Sequence, residues 1–227
     1  MILYILFAVF GYLFGSVRFS YLIPKFFCGV DVTVVSEDHN PGTANAMKYA
    51  GVPVGVLCLM LDMGKGFLPV FFGARFLNVE AFGFSAIVAA PVLGHCFPVF
   101  HGFRGGKAVA VSFGVLIGLM WNNLIVFALV FWYLFMCMLR FVRPNEKKSV
   151  FAFSLFTLTT LVFCILHWVP VSIFAGILLG SAAAIFRNAE GMIVPSIGQE
   201  QQRAMGQQTA GSGGEEPPGE SAGPAKI

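Results

Sequence analysis

Charge is what this 227-residue chain has least of. Asp, Glu, Lys and Arg make up 11% of it, while 57% is hydrophobic. Soluble domains carry about 25% charged residues, so the composition excludes an ordinary soluble domain. Paired cysteines are also missing. Cys28, Cys58, Cys96, Cys137 and Cys164 are widely spaced, and none lies in a CxxC pair. Four of them fall inside or at the edge of apolar runs, where Cys packs as a small hydrophobe. Neither a disulfide framework nor a metal site is expected, and no cofactor signature is present. The apolar segments lack the period-two alternation of a membrane barrel. There is no internal repeat, and the two halves share no pair of broken helices, which weakens a transporter reading. The net charge of +3 is too small to argue for nucleic acid, and none is expected as a partner.

What is present is apolar length. A helix crosses a bilayer in about 20 residues, and seven candidate spans can be drawn at roughly 2–24, 52–73, 82–100, 107–120, 124–140, 149–166 and 169–186. The fold class is therefore an all-α integral membrane bundle of about seven transmembrane helices with short loops. The first segment has no basic start and no small-x-small cleavage site, and it contains Arg18, so it reads as a span rather than a signal peptide. Spans four and five are short and meet at Trp121-Asn122-Asn123. Two crossings are preferred to a dipping hairpin, because a hairpin would break the charge asymmetry. The polytopic domain covers 1–198. From Gln199 the chain lacks large apolar residues, so 199–227 reads as a disordered polar tail.

The few charges are segregated. Segments 25–51, 101–106, 141–148 and the tail, with the adjoining span ends, hold Lys25, Lys48, Arg104, Lys107, Arg140, Arg143, Lys147, Lys148, Arg187, Arg203 and Lys226; the opposite loops hold Arg75. The positive-inside rule then predicts an external N-terminus and a cytoplasmic C-terminus.

Three polar stretches interrupt the apolar pattern. In "HNPGTANAMK", Asn40-Pro41-Gly42 is a turn signal, followed by Thr43 and Asn45 at a helix start. Such a start is either a plain cap or an anion site built from backbone N–H groups. In "LGHCFPVFHGFRGGKAVA", His95 and Gly105-Gly106-Lys107 crowd a span junction. A P-loop needs G-x-x-x-x-G-K-[ST]; His101 and Ala108 break that pattern. Two glycines for close backbone approach and a lysine at a helix N-terminus remain. The alternative makes Arg104 and Lys107 ordinary topology residues. In "LDMGKGFLPV", Asp62 and Lys65 lie three apart on one helix face, deep in the second span, where charges mark either function or an ion pair that fixes packing. Arg18 is expected to snorkel or to pair with Asp62.

Taken in order, these stretches resemble the acyl-phosphate:glycerol-3-phosphate acyltransferases of bacterial phospholipid synthesis, the PlsY-type family. "GSVRFSYL" (Gly15 to Leu22), "EDHNPGTANAMK" (Glu37 to Lys48), Leu61 to Val70 and Leu93 to Ala110 match that family's motifs. The resemblance spans roughly 1–187. Arg18 replaces a proline, Asp38 a serine, Lys48 an arginine and Ala108 a glycine. The family's closing H-R-x-N-I motif reduces to Arg187 and a Gly198-Gln199-Glu200 end. The chain thus looks like a divergent member.

The resemblance implies transfer of an acyl chain from acyl phosphate to the 1-hydroxyl of glycerol 3-phosphate, giving lysophosphatidic acid. Lys107, Asp38, His39 and His95 would be catalytic. Asn40, Gly42, Thr43, Asn45, Lys48, Gly105, Gly106 and Arg187 would bind substrate phosphates, with Asp62 and Lys65 as an intramembrane pair. Implied partners are the two substrates, the lipid bilayer and other phospholipid-synthesis enzymes. The implied location is the bacterial inner membrane, with the site at its cytoplasmic face. The rival readings are a silent paralogue that binds lipid phosphate or a partner, and a small-anion transporter.

Overall fold

The computed structural model describes residues 1–139, 141–142 and 145–193; the tail expected over 199–227 lies outside them. The described residues contain helices and no strand. In chain order the helices are α1 (Ile2–Gly15), α2 (Phe19–Cys28), α3 (Val32–Val35), α4 (Thr43–Ala50), α5 (Val52–Phe76), α6 (Phe84–Cys96), α7 (Val109–Gly118), α8 (Val126–Met138), α9 (Asn145–Ile165) and α10 (Val171–Ile193). A 3-10 turn at Val99–His101 follows α6. A helix satisfies its own backbone polar groups, which makes it the default way for one segment to cross lipid.

Every predicted span contains helix, but not every helix has crossing length. Four stretches do: Val52–Phe76, Phe84–His101, Asn145–Ile165 and Val171–Glu190; α1 and α2, bent by 42°, form a fifth if counted as one. With 10 and 13 residues, α7 and α8 rise only about 15 and 20 Å at 1.5 Å per residue, against a hydrocarbon core of about 30 Å. Helix length therefore supports four or five crossings rather than seven. In the fourth predicted span, residues 107–108 are not helical, and turns occupy 119–122.

Small residues set the packing, because helices in lipid associate by close van der Waals contact. A Cβ on Gly15 would lie 2.4 Å from the Pro91 carbonyl oxygen, and one on Gly94 would lie 2.2 Å from that of Tyr12. These contacts lock α1 against α6. A Cβ on Gly114 would lie 1.9 Å from the Met63 carbonyl oxygen, which ties α7 to α5. Around these contacts a core forms from Phe84, Ile87, Val88 and Val92 of α6, Val111, Val115 and Leu116 of α7, Phe153 and Phe156 of α9, and Ile173 and Ile177 of α10.

Hydrogen bonds sort the connections into two ends. At one end Tyr4 donates to the Asn78 carbonyl at 3.1 Å, Ser172 donates to that of Val79, and Asn123 donates to that of Trp168 at 2.8 Å. The guanidinium of Arg75 sits 5.2 Å from the ring centroids of both Phe71 and Trp121 there. At the other end the segment 36–45, the loop 101–108 and the start of α9 meet.

Candidate active site

At that second end a cavity of about 1280 Å3 opens. The segment before α4 builds one wall. After α3, capped by Asp31, whose carboxylate accepts from the Thr33 amide at 3.1 Å, the chain turns at Asn40-Pro41-Gly42 and α4 starts at Thr43. Asp38 organises the turn: its Oδ1 accepts from the Asn45 side-chain amide at 2.7 Å and from the Asn40 backbone amide at 3.3 Å. Asn45 also donates to the Asn40 carbonyl at 2.7 Å. Asp38, Asn40, Gly42, Thr43 and Asn45 all line the cavity.

The opposite wall carries Lys107. Its ammonium lies 2.7 Å from Asp38 Oδ2 and 2.6 Å from Glu146 Oε1, so two carboxylates hold it at the cavity mouth. Burial pushes the Asp38 pKa up, but the hydrogen bond and charge of Lys107, with help from Asn45 and the Asn40 amide, outweigh it, and the net shift is downward. Burial pushes Lys107 down, and its bonds to Asp38 and Glu146 outweigh that, so its pKa rises. Both shifts favour the charged forms, which widens the pH range over which the cluster stays ionised.

The glycines before Lys107 work differently from the sequence expectation. Gly106 donates its amide to the His95 carbonyl at 3.1 Å. A Cβ on Gly105 would stand 1.9 Å from that same oxygen, and one on Gly106 would stand 2.4 Å from His95 Nε2. The pair lets the loop lie directly on the end of α6; neither glycine lines the cavity. Ala108 then takes a left-handed φ of 61° as the residue before α7, where a glycine would be unstrained. From α10, Arg187 donates to the Gly105 carbonyl at 2.8 Å and Asn188 donates to the Lys107 carbonyl at 3.1 Å. Arg187 thus braces the loop from behind and also pairs with Glu190.

Below Lys107 the cavity reaches Asp62 and His95. His95 is buried, and its Nδ1 has no partner among the described residues. Asp62 and Lys65 lie side by side on α5. Lys65 Nζ is 2.8 Å from Asp62 Oδ1, close enough for an ion pair though not aligned as a hydrogen bond. Lys65 also donates to the Val17 carbonyl at 2.6 Å, and Ser20 donates to Asp62 Oδ2 at 2.5 Å. Val17 and Ser20 flank the break between α1 and α2, where a helical hydrogen bond is lost and a carbonyl needs another donor. The pair therefore staples the broken span. Arg18 does not join it: its guanidinium stacks over Tyr21 at 5.0 Å.

Of the expected site residues, Gly105, Gly106, Arg187 and Lys65 do not line the cavity, and His39 and Lys48 turn away from it altogether. His39 is exposed, with its Nδ1 2.8 Å from the Thr33 carbonyl oxygen. Lys48 is exposed and bonds Glu37 at 2.9 Å; that bond pushes its pKa up. Neither lines the cavity. The sequence reading missed Glu146, Ser20 and Asn188. Glu146 sits in a basic stretch that reads as a topology signal. Asn188 is a polar residue at the end of an apolar helix, and that contrast was the available clue. The lower walls are apolar, with Leu59, Met63, Val109 and Phe113. Among the described residues no group of His, Cys, Asp and Glu is arranged to hold a metal ion.

A profile for glycerol-3-phosphate acyltransferases matches residues 5–192. The chain belongs to that acyltransferase family. Among curated relatives, the glycerol-3-phosphate acyltransferase of Thermotoga petrophila is 43% identical over 150 residues, covering 66% of this chain and 75% of the relative. The enzyme of the same name from Pseudoalteromonas translucida is 34% identical over 166 residues, covering 72% and 78%. A crystal structure of PlsY, an integral membrane glycerol 3-phosphate acyltransferase, in its glycerol 3-phosphate form superposes with a TM-score of 0.70 at 28% identity. It covers 83% of this chain and 90% of that one. The lysophosphatidic acid form gives 0.68 with nearly the same coverage. Two of the residues that touch Lys107 directly are Asp38, which binds its ammonium, and Ala108, which follows it at a left-handed φ.

Proposed function

We propose that this acyltransferase moves an acyl chain from acyl phosphate to the 1-hydroxyl of glycerol 3-phosphate, releasing lysophosphatidic acid and inorganic phosphate. The observation that carries the reading is the position of Lys107. It stands where the polar wall of Asp38, Asn40, Thr43 and Asn45 meets the apolar wall of Leu59, Met63 and Phe113 in one cavity. Two phosphorylated substrates, one with a long apolar tail, need such a junction: cations and amides for the phosphates and an apolar groove for the tail.

The glycerol hydroxyl oxygen attacks the acyl carbonyl carbon and forms a new C–O bond. The tetrahedral intermediate collapses, and the bond from carbonyl carbon to phosphate oxygen breaks. Lys107 offsets the charge that gathers on the departing phosphate. His39 is outside the cavity, and Asp38 is a weak base beside the Lys107 ammonium. The hydroxyl proton goes to a substrate phosphate, whose second pKa of about 6 suits the task, or to the unpartnered Nδ1 of His95 in the same cavity. No Ser or Cys nucleophile with an adjacent base lines the cavity among the described residues, which supports direct attack without a covalent enzyme intermediate. Asn40 and Asn45 orient glycerol phosphate.

The protein resides in the bacterial inner membrane. The basic segregation supports a cytoplasmic cavity, an external N-terminus and a cytoplasmic C-terminus. Contacts with other phospholipid-synthesis enzymes belong to the same reading.

One observation favours a rival: Lys107 is already neutralised by Asp38 and Glu146, as a silent paralogue would permit. Purified protein given acyl phosphate separates the two. Phosphate release that depends on glycerol 3-phosphate, with lysophosphatidic acid formed in equal amount, supports the enzyme. Binding of glycerol 3-phosphate without release supports the silent paralogue.

A further inference from the structure

We propose that Glu146 is a positioning residue that fixes the Lys107 ammonium for phosphate binding, while Asp38 is the carboxylate that yields when a phosphate arrives. This rests on the acyl-transfer reading above. An ammonium held by two carboxylates carries a net negative charge as a group, and that charge repels a phosphate. One carboxylate must therefore move aside for the anion to reach Lys107.

The two carboxylates are not equivalent. Asp38 has further donors on Oδ1, the Asn45 side chain and the Asn40 amide, so it stays hydrogen-bonded when Lys107 leaves. Glu146 makes no other side-chain hydrogen bond or ion pair among the described residues. Its side chain is also the more buried, 13% exposed against 37% for Asp38. Glu146 stands in the first turn of α9, where the helix dipole favours a negative charge. A half-buried carboxylate with one partner among the described residues acts as an anchor; a carboxylate on a turn with further donors acts as a gate. Glu146 thereby does two things to the reaction. It aims the ammonium, which raises turnover, and its charge weakens the attraction for anions, which raises KM.

The test uses purified full-length protein as wild type, Glu146→Gln, Glu146→Asp and the charge-matched control Glu37→Gln. Three quantities are read: kcat, KM for acyl phosphate at saturating glycerol 3-phosphate, and the rate at which acetic anhydride labels Lys107 without substrate, followed by mass spectrometry. For Glu146→Gln, kcat falls roughly 10- to 100-fold, the scale of an ångström of misplacement. KM falls several-fold, and Lys107 labels faster because its ammonium has lost a stabilising charge. Glu146→Asp recovers part of kcat, and Glu37→Gln matches wild type in all three. Wild-type kinetics in Glu146→Gln overturn the proposal. So does lost turnover with KM and Lys107 labelling unchanged, which is the mark of a merely structural residue. If Glu146→Gln does not fold, Glu146→Asp carries the same comparison. A wild-type protein with no acyl transfer overturns the function reading instead, and unchanged Lys107 labelling in the variants still refutes the hold of Glu146 on Lys107.

Discussion

Lys65 and Lys107 both end beside carboxylates, at 2.8 Å from Asp62 and at 2.7 and 2.6 Å from Asp38 and Glu146, yet they do different work. Lys65 has no exposed side-chain area, and its remaining reach goes to the Val17 carbonyl at a helix break. Lys107 keeps 24% of its side chain exposed at a cavity mouth, on a loop braced by α6 and α10. A lysine with every partner inside the protein holds helices together. A lysine with an accessible carboxylate among its partners, as Asp38 is here with 37% of its side chain exposed, can exchange that partner for a substrate. In a chain this poor in charge, what distinguishes the two is the number of permanent partners, rather than depth alone.

The largest expected effect breaks the buried side of that comparison. Asp62→Asn strands Lys65 and is expected to lower stability by about 3–5 kcal/mol, as when one partner of a buried pair is removed. Asp62→Asn combined with Lys65→Met strands no charge and is expected to recover most of the loss. Thermal unfolding in detergent measures both; losses that simply add show that the pair is not the staple described above.

A smaller effect sharpens the loop side. Gly105→Ala places a methyl group against the His95 carbonyl oxygen and is expected to cost about 1–3 kcal/mol by overpacking, with turnover falling as Lys107 shifts. Gly64→Ala is the control. A Cβ there meets nothing within 4 Å, and alanine suits a helix better than glycine. Equal unfolding temperatures for the two variants refute the seating of the loop on α6. The smallest effect is Ala108→Gly. It relieves a left-handed φ of 61° and is expected to raise stability by up to about 1 kcal/mol, read as a modest rise in the same unfolding experiment. A fall contradicts the strain.

Much of this was legible in the sequence, for reasons that also explain the misses. Hydropathy finds apolar length, so each predicted span contains helix. It averages over polar interruptions, so the break at Ser16–Arg18 disappeared into a continuous span at 2–24, and the shortness of α7 and α8 did not show. Asp62 and Lys65 could be placed on one face because i,i+3 spacing fixes which face both occupy, and their charged groups lie 2.8 Å apart. Their partners come from elsewhere, Val17 from the break between α1 and α2 and Ser20 from the start of α2, which spacing within one helix cannot reveal. Asp38, Asn40, Thr43, Asn45, His95 and Lys107 share one cavity. His39 and Lys48 leave it because α4 turns Lys48 toward Glu37 and the Thr33 carbonyl holds His39. Gly105, Gly106 and Arg187 shape the Lys107 loop from behind rather than facing the cavity.

The most direct test of Lys107 as the phosphate ligand compares Lys107→Ala with Arg104→Ala, since Arg104 lies three residues away, exposed and outside the cavity. Both variants are purified from membranes, checked for monodispersity, and assayed for glycerol-3-phosphate-dependent release of phosphate from acyl phosphate. Loss of one contact to a developing charge typically lowers rate by about 10²–10³. The expected result is a loss of that size for Lys107→Ala in a well-folded protein, with Arg104→Ala close to wild type. Equal activity in the two variants contradicts the account and leaves Lys107 a topology residue.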